Sequence, residues 1–177
     1  MLAVLLATLL TGTAHAAPEM HLEGSAQALP TTVALDVRAR ADGDHDGYVL
    51  GAVRVDPTGA WIGRAGVGID VLGGGDGIDL KLGLFLGGTG DAGELTWNGR
   101  PAAGGEIQLG VSVGRVFGSY RHMDGFAGPL EDRLTEDELR LGFELTDQWR
   151  LHGQALEVNP GDGVWRPSFG LGVEAVF

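Results

Sequence analysis

Six stretches of the sequence place an apolar side chain at every second position, the period that a β-strand imposes and a helix cannot produce. They are Val33, Leu35, Val37, Ala39; Ala65, Val67, Ile69, Val71; Ile78, Leu80, Leu82, Leu84, Leu86; Ile107, Leu109, Val111, Val113; Leu139, Leu141, Phe143, Leu145; and Phe169, Leu171, Val173, Ala175, Phe177. The positions between them are glycine, polar or charged, with Ala34, Phe85 and Val176 as exceptions. Two weaker stretches extend the set. In 48–55, Val49, Val53 and Val55 oppose Arg54; in 149–157, Trp149, Leu151 and Ala155 oppose Arg150, His152 and Gln154. The segments 42–47, 56–59, 73–77, 146–147 and 159–167 separate these stretches, and most are rich in Asp, Asn, Pro and Gly, the residues of turns.

The pattern predicts an all-β protein, an eight-stranded antiparallel up-and-down barrel. Either face of such a sheet could point outward. Turned inward, the apolar set makes a soluble ligand carrier; turned outward, it makes a transmembrane barrel with a polar interior. The opposite face decides. Its centres hold glycines, which pack nothing on a solvent-facing surface but leave room inside a narrow barrel. That room suits an interior network of Asp36, Arg38, Asp70, Asp79, Lys81, Arg140, Glu144, Arg150 and Glu174. An Arg at the lipid-facing midplane would cost about 2–4 kcal/mol, and the apolar set contains no charge. Aromatic residues fit two interfacial girdles: Trp61, Phe143, Trp149 and Phe177 at one rim, Tyr48, Phe117 and Phe169 at the other. The expectation is therefore a transmembrane β-barrel.

Composition narrows the chemistry. There is no cysteine, which excludes disulfides, thiolate metal sites and a cysteine nucleophile. A formal charge of −12 argues against nucleic acid as a partner. Residues 1–16 read as an export signal: an apolar run from Leu2 to Leu10, a Thr-Gly-Thr break, then Ala14-His15-Ala16 as a cleavage site. The expected organisation is a cleaved signal at 1–16, an N-terminal periplasmic segment at 17–30 and a barrel at 31–177.

Counting back from a periplasmic C-terminus puts 42–47, 73–77, 118–136 and 159–167 outside, and 56–59, 87–105 and 146–147 on the periplasmic side. The 87–105 connection is long for that side. Strands at 94–97 and 20–29 would relieve it, which makes ten strands the alternative.

The last nine residues, from Phe169 through Leu171, Val173 and Ala175 to a terminal Phe177, form an amphipathic strand. It resembles the C-terminal signal by which the outer-membrane assembly machinery recognises its substrates. The segment 145–151 resembles the short periplasmic turn of small barrels of the outer membrane protein A and X type. The resemblance implies an outer-membrane location in a Gram-negative-type cell, a monomer, and contact with outer-membrane lipid, lipopolysaccharide and the assembly machinery. It leaves the activity open, since barrels of this class are structural, adhesive, transporting or enzymatic.

Two groups of residues are candidates for chemistry. Asp42, Asp44 and Asp46 stand in the first half of a D-x-D-x-D-G calcium loop, but position twelve is Val53 and no bidentate Glu completes it. Calcium is thus a candidate ligand, against an Asp/Gly-rich hairpin tip. Ser119, His122 and Asp124 carry the groups of a catalytic triad, which would need all three within hydrogen-bond reach; a polar loop is the plainer reading. The expected function is a barrel with a plugged polar lumen, no cofactor and no catalysis, serving envelope structure or surface interaction. A lipid-modifying enzyme, a small channel and a soluble periplasmic ligand-binding barrel are the alternatives.

Overall fold

The computed structural model describes residues 19–28, 33–42, 47–55, 60–73, 77–91, 100–128, 132–160 and 166–177. They form ten strands: β1 (Glu19–Ala28), β2 (Val33–Asp42), β3 (Gly47–Val55), β4 (Ala60–Leu72), β5 (Gly77–Asp91), β6 (Arg100–Val113), β7 (Val116–Ala127), β8 (Asp132–Thr146), β9 (Trp149–Pro160) and β10 (Arg166–Val176). Each strand pairs antiparallel with the next, and β10 returns to β1, which closes the barrel. Two hydrogen bonds tie the ends together: the Met20 N–H donates to the Phe177 carbonyl at 3.1 Å, and the Phe177 N–H to the Met20 carbonyl at 2.8 Å.

The strand count corrects the expectation of eight. Residues 17–30 were expected to form a separate periplasmic segment, yet Glu19–Ala28 is a full member of the barrel, paired on both edges. The expected loop 118–136 contains most of β7 and the start of β8. Alternation fails there because the outer face of β7 turns polar beyond Tyr120, at His122 and Asp124. Most of the expected 87–105 connection is strand as well, since β5 runs to Asp91 and β6 starts at Arg100. The segment 94–97 and the expected export signal at 1–16 lie outside the described residues.

Ten strands also reassign the rims. Both ends of the barrel sequence share one rim with the two-residue turns Gly114-Arg115 and Asp147-Gln148. Gly114 adopts φ +58°, a left-handed conformation that suits glycine in so tight a turn. The strand ends flanking 43–46 and 74–76 lie at this terminal rim too, opposite to the side expected for 42–47 and 73–77. The strand ends flanking 56–59 and 92–99 move to the far rim.

The direction of the apolar face is as the glycine argument requires. In β4, β6 and β8 every member of the alternating apolar set is exposed. Leu84, Leu86, Leu141 and Leu171 each keep more than two-thirds of their surface accessible. Such a continuous oily girdle is foreign to a water-soluble monomer, and burying each Leu against hydrocarbon is worth about 1.5–3 kcal/mol over leaving it in water. Strands of 9 to 15 residues suffice to cross a bilayer, which takes about 9–11.

The aromatic rims are corrected in part. Phe143, Trp149 and Phe177 are exposed at the terminal rim, whereas Trp61, near the start of β4, belongs to the far rim. Tyr48 is buried and Phe117 lines the lumen, so neither belongs to a girdle.

Candidate functional site

The inward-facing positions build a lumen with two unlike halves. The half nearer the termini is an open cavity of about 720 Å³. Its described wall carries seven carboxylates against four Lys and Arg side chains. Strand register stacks these groups along the axis. Asp70 on β4 faces Lys81 on β5, and the Lys81 Nζ stands 3.2 Å from one carboxylate oxygen and 3.3 Å from the other. Arg150 on β9 contacts Glu144 on β8 at 2.8 Å and Glu174 on β10 at 3.8 Å. His21 on β1 reaches the same Glu174 at 2.7 Å.

Midway up, the cavity is floored by a denser cluster. Arg121 on β7 pairs with Glu136 and, at 2.8 Å, with Glu138, both on the adjacent β8. Arg140 bridges Glu138 at 3.1 Å and Glu23, across the lumen on β1, at 2.7 Å. His152 sits 3.3 Å from Glu23, and Gln154 donates to Ser25 at 2.9 Å. Glu136 also receives Arg54 at 3.0 Å and lies 3.6 Å from Arg64, so three guanidinium groups converge on one carboxylate. With Glu136 and Glu138 about 1% exposed, these charges are tolerated because each is met by an opposite charge.

Beyond that cluster, toward the far rim, the lumen is apolar and packed. Phe85, Ala102, Met123, Ala127 and Leu134 form a buried cluster with Ile62 against it. The Phe85 ring is seated on bare backbone: a Cβ at Gly104 or Gly125 would stand 2.7 or 3.0 Å from its Cζ. Tyr48 is seated likewise over Gly68 and Gly83, and donates a hydrogen bond to Glu106 at 3.1 Å. Inward glycines therefore serve as sockets for large side chains on neighbouring strands, in addition to giving charges room.

Of the interior residues expected from the sequence, Asp70, Lys81, Arg140, Glu144, Arg150 and Glu174 join the ion pairs just described. Asp79 lines the cavity without a hydrogen bond or ion pair among the described residues. Asp36 and Arg38 lie on β2, whose side chains are outside the described set, as are those of Asp42, Asp44 and Asp46. The sequence reading missed Glu23, Arg64, Glu106, Arg121, Glu136 and Glu138, and placed Arg54 opposite the apolar face without assigning it to the network. Period-two alternation in 116–127, with Phe117, Ser119, Arg121 and Met123 on one parity, is the signal that locates Arg121.

Ser119, His122 and Asp124 do not come together. All three stand on β7 rather than in a loop, and alternation turns Ser119 into the lumen and the other two outward. His122 contacts Asp137 at 2.8 Å, and Tyr120 donates to the same carboxylate at 2.5 Å. Asp124 is held by Arg133 through two bonds of 2.6 and 3.0 Å. A nucleophile facing one side of a sheet and a base facing the other cannot exchange a proton. Among the described residues no cluster of three acidic or histidine side chains has the geometry to hold a metal ion.

Comparisons with solved structures agree with this architecture. The chain is similar to the KdgM porin, at 8% identity and a TM-score of 0.56, covering 89% of this chain and 99% of that one. It is also similar to the KdgM porin in complex with disordered oligogalacturonate, at 9% identity and a TM-score of 0.52, covering 90% and 99%. The N-terminal β-barrel domain of Pseudomonas aeruginosa OprF matches at 9% identity and a TM-score of 0.44, covering 90% and 97%. No family model matches the sequence, and no curated protein matches it. The fold is that of an outer-membrane-type β-barrel, a class that includes porins.

Proposed function

We propose that the protein is an integral outer-membrane β-barrel of a Gram-negative-type cell, inserted after export, with a lumen that does not conduct and a role in envelope structure or surface interaction without catalysis. The observation that carries this reading is the pairing of an apolar exterior belt on β4, β5, β6 and β8 with an interior closed by the Arg121–Glu136–Glu138 cluster and the Phe85–Met123–Leu134 layer. The two-residue turns fit the periplasmic side, where such barrels have short connections. The cavity then opens toward the periplasm and the seal lies toward the cell surface. Outer-membrane lipid, lipopolysaccharide and the assembly machinery are the partners this placement implies.

A small channel is the second reading, favoured by the roughly 720 Å³ cavity and by the porin-like fold. The acidic wall speaks against an anionic oligosaccharide such as the one named with the KdgM porin. Planar-bilayer recording of the refolded barrel separates the two readings. A silent membrane with a heat-modifiable electrophoretic band supports the closed barrel; reproducible single-channel steps overturn it in favour of the channel. Recovery of the folded protein in the soluble fraction overturns both.

A further inference from the structure

Among the described residues, the ion pairs inside the barrel leave an excess of negative charge in the open half of the lumen. Each of its Lys and Arg side chains is already engaged: Lys81 by Asp70, Arg140 by Glu23 and Glu138, Arg150 by Glu144. Asp79 has neither a hydrogen bond nor an ion pair among the described residues, and its Oδ1 is buried. The Glu106 side chain is only 6% exposed. Its Oε1 accepts from Tyr48, while its Oε2 lines the cavity without a hydrogen bond. The nearest cation among the described residues, Arg121, is 4.0 Å from that oxygen and is occupied by Glu136 and Glu138.

We propose that this cavity binds small organic cations, linear amines above all, between Asp79 near the mouth and Glu106 at mid-depth. The inference deepens the closed-barrel reading and rests on it. Asp79 pairs in register with Gly110, so Glu106 stands four residues farther along β6, roughly 13 Å along the tilted strand at the usual rise. Two carboxylates so far apart cannot chelate one metal ion, and they suit a ligand with positive charges separated along a flexible chain. A volume of about 720 Å³ lies within the usual range for small-molecule sites, about 300–1,000 Å³. The packed layer beyond Glu136 gives the ligand a floor, so it enters and leaves by one mouth.

The test is calorimetric titration of spermidine into the refolded full-length barrel in detergent at low salt, with succinate as the anionic control. The expected result is saturable spermidine binding, no succinate binding, and at least a tenfold weaker affinity in the Asp79→Asn/Glu106→Gln double variant. Asp147→Asn, on the turn outside the cavity, should bind as the unaltered protein does. Heat-modifiable mobility confirms that each variant is folded, and Asp79→Asn alone, which breaks no internal pair, serves if the double variant does not fold. Absence of saturable binding, saturable succinate binding, or a loss of less than tenfold in the folded carboxylate variant overturns the proposal. Bilayer recording on the same preparation judges the closed lumen separately: current steps would sink that reading, whereas a silent membrane without spermidine binding would sink the amine site alone.

Discussion

The ring of Phe85 on β5 occupies the space that a side chain on Gly104 of β6 would need, with its Cζ 2.7 Å from where a Cβ would stand. The backbone crowds that point as well, with the Asp124 carbonyl at 2.2 Å and Gly125 Cα at 2.6 Å. An absent side chain on one strand is thus matched to a large one on the next, and the match is part of the seal.

Gly104→Val should therefore destabilise the barrel by about 1–3 kcal/mol, the usual cost of overpacking. Gly51→Ala should be close to neutral, because a Cβ at Gly51 meets nothing within 4 Å. Reversible urea unfolding of the two variants in lipid vesicles measures the difference.

Removing the carboxylate on which three guanidinium groups converge should cost far more than removing one near the mouth. Glu136→Ala leaves Arg54, Arg64 and Arg121 short of a buried partner, a loss of about 3–5 kcal/mol. Glu144 and Arg150 are each about one-third exposed, so Glu144→Ala should cost about 1 kcal/mol or less. Unfolding midpoints at equal protein concentration separate the two cases.

Leu141, with 68% of its surface accessible on β8, tests the medium that surrounds the barrel. In a membrane, Leu141→Arg should lose about 2–4 kcal/mol if the position lies near the midplane. The same substitution on a water-facing surface would change stability little. Refolding yield into vesicles of increasing acyl-chain length reads out the penalty.

Deletion of Phe177 probes the assembly role implied by the C-terminal strand. Its N–H and carbonyl both bond Met20, so some loss of closure stability is expected in vitro. The expected result in cells is a much greater loss of outer-membrane insertion than the refolding yield of the purified variant predicts. Equal losses in the two settings would assign Phe177 a purely structural part.

Much of this architecture is legible in the sequence. Where one face of a strand meets lipid along its length, as in β4, β6 and the last part of β8, side-chain alternation declares both the strand and its orientation. The signal weakens where the exterior leaves the apolar belt. On β7 the outward series runs Val116, Gly118, Tyr120, His122, Asp124, Phe126, and a rule that seeks apolar residues at every second place loses it midway. On β1 the outward residues Leu22, Gly24 and Ala26 are mostly too small to announce a membrane face. Missing those two strands inverted the early hairpins and hid Glu23 and Arg121. The ion-pair network was harder still to infer: alternation shows that acids and bases share the interior, but only register shows that Arg140 meets Glu23 across 117 residues of chain.

The seam between β1 and β10 has a kinetic consequence. The first and last strands become neighbours only when the chain is complete, so no smaller set of strands satisfies every backbone edge. Loop-closure entropy is paid across nearly the whole polypeptide before that final ladder of hydrogen bonds repays it. Folding of such a cylinder is expected to be slow and concerted, and an unfinished chain would present two sticky margins that invite misassembly until the ends find each other.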